Sequence, residues 1–279
     1  MSIQVATDPD AFRAFEHSGL NEASEAYEKA MGPLTAQSAE ATLDAAGVSH
    51  GCRVLDVCTG HGVLALAASK RGAKVSAIDF SEAMVAAARR NVPAAECLQC
   101  DAQDLLYSDD TFDAVVCGYG IIHVPEPNRA LREMRRVLRP GGRVAISVWE
   151  RPSPNNGFGL VMGAIKAHGR LDVALPHGPD FFQFGDQDSL KSALAQTGFI
   201  DTNATILPLI MPLRQPTEFM DAVLKGTVRA KAMLLAQDDT ALLTIKAVVA
   251  KAISGLFGSG ADFRVPMPAI LGSGTKPET

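Results

Sequence analysis

The sequence predicts an α/β fold with a doubly wound, mostly parallel sheet, and three observations carry that reading. From Arg53 onward, short runs rich in Val and Ile alternate with Ala-rich stretches of helical spacing. Parallel strands must be joined by crossovers, and helices supply them on both faces. The first apolar run ends in an acid and a glycine turn, Asp56 to Gly62, which leads straight into a helical stretch. The chain is 279 residues long with 47% hydrophobic and 20% charged residues, enough for a sizeable core and far from a disordered composition.

Residues 10 to 46 are rich in Ala and Glu, carry no strand pattern and read as two helices broken near Gly32-Pro33. The alternating series follows: VLDVC, the helix VLALAASKR ending at Gly72, KVSAID, and the helix SEAMVAAARRN. Next come a short strand AECLQC, the strand FDAVVCG, a helix NRALREMRRVLR expected to stop at Pro140-Gly141-Gly142, and the strand RVAISVW. After Trp149 the chain turns Gly- and Pro-rich, with one short helix near Leu160 to His168, as expected of an insertion. DSLKSALAQTG resumes a helix with Gly198 as its stop, and FIDTNATILPL reads as a strand. Residues 217 to 256 are helical in pattern, and RVPMPAILG reads as a closing strand whose two prolines put it at an edge or leave part of it unpaired.

No apolar run approaches the roughly 18 residues of a membrane helix, and MSIQVATDPD has neither a basic nor an apolar leader region, so a cytoplasmic protein without membrane insertion is expected. The net charge of -5 is concentrated early: residues 1 to 50 hold Asp8, Asp10, Glu16, Glu22, Glu25, Glu28, Glu40 and Asp44 against Arg13 and Lys29. The basic cluster Arg129, Arg132, Arg135, Arg136 and Arg139 reads as a solvated helix face, so no nucleic-acid partner is expected. Five scattered cysteines make no disulfide framework, and the pair Cys97 and Cys100 lacks the second ligand pair of a structural zinc site; no metal is expected.

The chemistry is expected at the glycine turn. Gly60 and Gly62 let the backbone approach a nucleotide-like ligand at the carboxyl edge of the strands. Asp79, 17 residues beyond Gly62, ends the second strand, where a carboxylate can accept both ribose hydroxyl protons. Gly60 to Ala65 also fits the G-x-G-x-x-G/A dinucleotide pattern, which alone is weak. Two further acids separate the readings. A dinucleotide pyrophosphate avoids carboxylates, whereas a sulfonium with an α-ammonium group suits Asp56 near its amino-acid end, Asp79 on the ribose and Asp101 at the adenine.

At this point the chain resembles the class I S-adenosylmethionine-dependent methyltransferases, in particular the type 11 methyltransferase domain group that includes ubiquinone and menaquinone methylases. The matching blocks are VLDVCTGHG, VSAIDFSEAMVAAA, CDAQDL, FDAVVCGYGIIHV and LREMRRVLRPGGRVAIS, covering about residues 53 to 148 in the family's order. The family usually has Gly where this chain has Cys58, and Cys where it has Thr59. The resemblance implies a Rossmann-like, seven-stranded sheet with an antiparallel last strand, and S-adenosyl-L-methionine as cofactor. It implies Asp56, Thr59, Gly60 and Gly62 along the methionine part, Asp79 on the ribose, Phe80 and Met84 flanking the adenine, and Asp101 and Ala102 at its edge. Gly118 is expected beside the cofactor and Tyr119 toward the acceptor.

Methyl transfer from a sulfonium requires alignment and exclusion of water, and a base only for a hydroxyl or carbon acid. His123, after the fourth strand, is the candidate base. In the similar phosphobase methyltransferases a His at this place works with a Tyr of the N-terminal helix, which implies Tyr27 here; a purely structural His123 is the competing reading. His17, His50, His61, His168 and His177 fall in no constellation. The expected organisation is a helical cover over 1–47, a cofactor core over 48–150, a cap insertion over 151–186, and a C-terminal part over 187–279 with a helical insertion at 213–258 that serves as lid or homodimer contact. The last two strands are expected at Phe199 to Leu209 and Arg264 to Leu271. Phe181, Phe182, Phe184, Met162 and Met211 in or beside the inserts favour a small apolar or aromatic acceptor, methylated at an oxygen, nitrogen or carbon. A nicotinamide-dependent oxidoreductase and a non-catalytic regulatory module are the alternative functions.

Overall fold

The computed structural model of the protein describes residues 8–278. Residues 1–7, on which the leader reading and the start of the 1–47 cover fall, and residue 279 lie outside the described residues. Helix α1 (Pro9–Ala30) begins where Asp8 accepts from the Ala11 N–H at 3.0 Å with Pro9 in the first turn, a cap that satisfies a free donor. The break at Gly32-Pro33 leads into the single turn α2 (Gly32–Thr35) and then α3 (Ala39–Ala45).

The core follows as β1 (Arg53–Val57), α4 (Val63–Lys70), β2 (Lys74–Asp79), α5 (Glu82–Asn91), β3 (Glu96–Gln99), β4 (Phe112–Gly118), α6 (Pro127–Val137) and β5 (Leu138–Trp149). Then come α7 (Gly157–His168), α8 (Gln187–Gln196), β6 (Ile200–Leu207), β7 (Ile210–Leu213), α9 (Glu218–Gly226), α10 (Arg229–Leu235), α11 (Asp239–Leu256), β8 (Gly258–Ser259), β9 (Asp262–Pro266) and β10 (Ala269–Thr275). The main sheet has seven strands in the order β3-β2-β1-β4-β5-β10-β6, with β10 antiparallel to both neighbours. The expected doubly wound sheet with an antiparallel last strand is therefore the fold. The strand order reverses between β1 and β4, and in such sheets the crevice beyond that point, at the carboxyl ends, is where ligands bind.

Two expectations are corrected. The helix at 128–139 ends at Val137, before Pro140-Gly141-Gly142, and Leu138 already pairs with Phe112. Proline disfavours helical backbone at Arg139, so the turn residues become an irregularity at the start of β5 rather than a helix stop. The closing strand expected at 264–271 is two strands: β9 pairs with β7 and β8 in a separate three-stranded sheet, and only β10 joins the main one. Pro266 and Pro268 lack the N–H needed to continue a ladder, so the chain changes sheets between them. The excursion from the main sheet thus runs from 208 to 268 and contains residues 213–258. Among the described residues no helix is long and apolar enough to cross a membrane.

Candidate functional site

At the carboxyl edge of β1, β2 and β4 lies one cavity, roofed by α1. Of the residues expected around the cofactor and acceptor, Tyr27, Asp56, Thr59, Gly60, Asp79, Phe80, Met84, Asp101, Ala102, Gly118, Tyr119 and His123 all line it. Gly62 does not. It has φ 94° at the start of α4, and a Cβ there would meet Val92 Cγ2 at 2.8 Å, so its work is close packing against α5. Gly60 is different: φ is 56° and no atom lies within 4 Å of where a Cβ would stand, which leaves its backbone open to a ligand. Cys58, at the position where the resembling family usually has glycine, adopts the same left-handed backbone, φ 56°.

The carboxylates differ in how much of their bonding capacity is used. Asp56, 1% exposed, accepts at Oδ2 from Thr59 Oγ1 (2.6 Å) and from the Ala65 N–H (2.9 Å), while Oδ1 is buried without a partner among the described residues. Burial pushes its pKa up to about 7, against the pull of those two hydrogen bonds. A buried, unpaired carboxylate oxygen is costly in isolation and suits a cationic ligand. Asp79 accepts from the Gly60 N–H at Oδ2 (2.9 Å) and from the Ser81 N–H at Oδ1 (3.0 Å), leaving one acceptor site on each oxygen; burial raises its pKa as well. Asp101 is already engaged: its Oδ2 pairs with Arg13 of α1 at 2.9 Å, and its Oδ1 accepts from the Gln103 N–H.

His123 is held by a residue the sequence reading passed over. Its Nδ1 lies 2.7 Å from Oε2 of Glu16, which is fully buried on α1. Tyr27, the implied partner, lines the cavity instead with its ring edge-on to His61 at 5.9 Å, and burial pushes its hydroxyl pKa up to about 12, so it remains a proton donor. Tyr119 donates from its hydroxyl to Ser38 Oγ (2.9 Å) and stacks on Trp149 at 4.2 Å. Glu16 had one signal in the sequence: it interrupts the apolar stripe Phe12, Leu20, Ala23 on the buried face of α1. Arg13 and Ser38 had none.

A second cavity adjoins the first and shares Leu20, Tyr27, Tyr119 and His123 with it. Its walls are Trp149, Phe158, Phe181, Phe182, Met162 and Met233, from β5, the 151–186 cap and α10. Phe184 and Met211, also expected there, are core residues. Cys97 and Cys100 belong to apolar layers on opposite faces of the sheet, because an odd spacing along a strand alternates faces; they do not converge on one ligand. Four of the five clustered arginines are committed locally: Arg129 to Glu126, Arg135 to the Gly198 carbonyl, Arg136 to Glu133 and Asp109, and Arg139 to Asp113.

The sequence profile of the methyltransferase domain matches residues 55–146. A demethylmenaquinone methyltransferase from Clavibacter sepedonicus is 33% identical over 202 residues, covering 64% of this chain and 80% of that protein. The chain belongs to the S-adenosylmethionine-dependent methyltransferases. It is therefore an enzyme with S-adenosylmethionine as its methyl donor, and the oxidoreductase alternative falls. The chloroplastic 2-phytyl-1,4-beta-naphthoquinone methyltransferase of Arabidopsis thaliana is 43% identical over 111 residues, 36% of this methyltransferase and 42% of the plant protein. Among solved structures, Haemonchus contortus phosphoethanolamine N-methyltransferase 2 in complex with S-adenosyl-L-methionine superposes with a TM-score of 0.54 at 19% identity, covering 98% of this chain and 61% of that one. That likeness is one of fold.

Proposed function

We propose that this methyltransferase alkylates a ring carbon or phenolic oxygen of an apolar aromatic acceptor, with reduced, demethylated naphthoquinones as the acceptor class. The observation that carries the proposal is the aromatic chamber beside the cofactor cavity, with His123 at the junction. Its aromatic walls match a flat apolar ring and offer little to a phosphorylated amine, whose anion would want several free cations. Curated relatives named for menaquinone and naphthoquinone methylation support the same choice.

The residues fit the donor. The unpaired Asp56 Oδ1 would meet the positive amino-acid end, the spare acceptor sites of Asp79 the ribose hydroxyls, and the open backbone of Gly60 the close approach between them. Phe80 and Met84 would flank the adenine, with Asp101 and Ala102 at its edge, and Gly118 would lie beside the cofactor. When bound, S-adenosylmethionine supplies a methyl group already activated on a sulfonium. The chain aligns the acceptor against it, excludes water under α1 and the caps, and takes up the acceptor's proton at His123, with Tyr27 closing and orienting the site. A cytoplasmic location and association into a homodimer go with this proposal; light scattering on the purified protein tests the second.

The deciding experiment incubates the protein with S-adenosylmethionine and either a reduced demethylated naphthoquinone or phosphoethanolamine, and reads the mass gain of one methylene. Methylation of the quinol alone is expected. Methylation of the amine alone would overturn the acceptor class.

A further inference from the structure

The second oxygen of Glu16 leads beyond that reading while resting on it. Glu16 sits in the middle of α1, fully buried, with Oε2 on His123 Nδ1 at 2.7 Å and Oε1 buried without any partner. Buried carboxylates without a cation are expensive, and an apolar residue at this place in the stripe would pack at no such cost. The nearest cation on the same helix, Arg13, is committed to Asp101. The protein thus buries a carboxyl group whose sole hydrogen-bonding partner among the described residues is the imidazole at the junction of the two chambers.

We propose that Glu16 is the positioning residue of a carboxylate–histidine pair that makes His123 a base of one defined tautomer. An ionised carboxylate only accepts, so the proton of the neutral ring is held on Nδ1 and the lone pair is left on Nε2, the atom available to the acceptor. In the step, the acceptor's O–H bond breaks and its proton goes to Nε2. The electron pair so released forms the new bond to the methyl carbon, from the oxygen itself or, delocalised through the ring, from the ring carbon, and the pair of the breaking S–CH3 bond stays on sulfur. The imidazolium so formed is neutralised by Glu16, which keeps its place and takes no proton, and it returns its proton to water when product leaves. For carbon methylation the ring C–H bond then breaks, its electron pair restores the aromatic ring, its proton leaves to water and the acceptor oxygen takes a proton back from water, so one proton is released in all. Because Glu16 belongs to α1 and His123 to the loop after β4, the pair exists only while the helix is seated on the core.

Glu16→Gln keeps volume and hydrogen bonding but lets either amide atom face Nδ1, so the tautomer is no longer imposed. At saturating donor and acceptor its kcat should fall by about 10²-fold with KM for the acceptor and S-adenosylhomocysteine affinity close to those of the parent. Independently of any acceptor, nitrogen NMR of the labelled parent protein at alkaline pH should show His123 with a protonated Nδ1 and bare Nε2, and the variant a mixture. A parent with the proton on Nε2, or a variant with unchanged kcat and unchanged ring signals, would overturn the assignment. If Glu16→Gln fails to fold, Glu16→Asp retains the charge one methylene further away and should show the same two effects in smaller degree. Absent turnover on every quinol together with the Nδ1-protonated signature would sink the acceptor reading and leave the pair standing.

Discussion

At the scale of single residues, the site rests on two buried carboxylates with unequal tasks. Asp56 has its pKa raised from the ordinary carboxylate value to about 7 by burial. The folded chain therefore holds that proton more tightly than the unfolded one, and its stabilising contribution, full at low pH, is lost as pH rises toward about 7. Asp56→Asn should accordingly raise the melting temperature of the ligand-free protein above pH 7 and leave it nearly unchanged near pH 4. The same substitution removes the charge that a cationic ligand needs, so S-adenosylhomocysteine should no longer raise the melting temperature appreciably, and in the parent that rise should fade as pH drops below about 7. Asp79→Ala should weaken S-adenosylhomocysteine binding at least about tenfold by calorimetry, since charge-assisted hydrogen bonds contribute roughly 1.5 to 3 kcal/mol. His123→Ala should lower turnover by roughly 10² to 10⁴ with cofactor affinity intact. If the acceptor is an already acidic phenol, the loss should be small. The places of Asp56, Asp79 and Gly60 at the cavity were legible because each lies near the end of a strand or within the turn that follows it, at a spacing that local sequence encodes. Glu16 was not, since its partner lies 107 residues away and only the packing of α1 brings them together.

Among the elements, α1 bears the most. Along one helix Arg13 reaches Asp101, Glu16 reaches His123, Asn21 accepts from Ser81 Oγ and the Ala83 N–H, and Glu28 accepts from Arg90 and Asn91. The contacts fall on the segments that follow three strands, β2 for Asn21 and Glu28, β3 for Arg13 and β4 for Glu16, so α1 lies across the crevice and ties its rims together. A chain beginning at Gly32 should keep a cooperative melt yet lose most turnover. A cut near residue 45 also removes Leu43, fully buried against the sheet, and a lost core leucine costs about 2 to 5 kcal/mol; circular dichroism on the two truncations should rank them accordingly. The helices and parallel strands of the core were readable from periodicity, because each buries a face or stripe that its own spacing announces. The ends of α6 and the split between β9 and β10 were not, since proline and glycine mark a change of direction without saying what the chain pairs with next.

At the scale of the molecule, the two chambers meet at α1 and the end of β4 and then diverge: the first cavity is completed by the core, the aromatic one by Trp149, the 151–186 segment and α10. Phe181→Ala, which removes a ring packed edge-on against both His123 and Phe182, should raise KM for an aromatic acceptor several-fold to about tenfold while leaving S-adenosylhomocysteine affinity unchanged. The excursion that completes the second chamber leaves and re-enters the main sheet between directly paired residues. Leu207 lies opposite Ala269, and one step farther out Ile210 lies opposite Pro266. Its two stems are thus stapled side by side, and the segment behaves as a cassette plugged into a hairpin. Such a module can be exchanged between homologous proteins without moving a strand of the donor site. Several seams must be matched: α9 packs on α1 and α11 on α7, Gln237 bonds the backbone of Arg170, and Gly19 of α1 meets Val228 so closely that a Cβ would fall 2.3 Å from its Cγ1. The excursion lends Thr227, Arg229, Ala230 and Met233 to the second chamber while the aromatic walls stay with β5 and the 151–186 cap, so a graft should reshape one rim of the acceptor space and leave its flat, ring-sized floor as inherited.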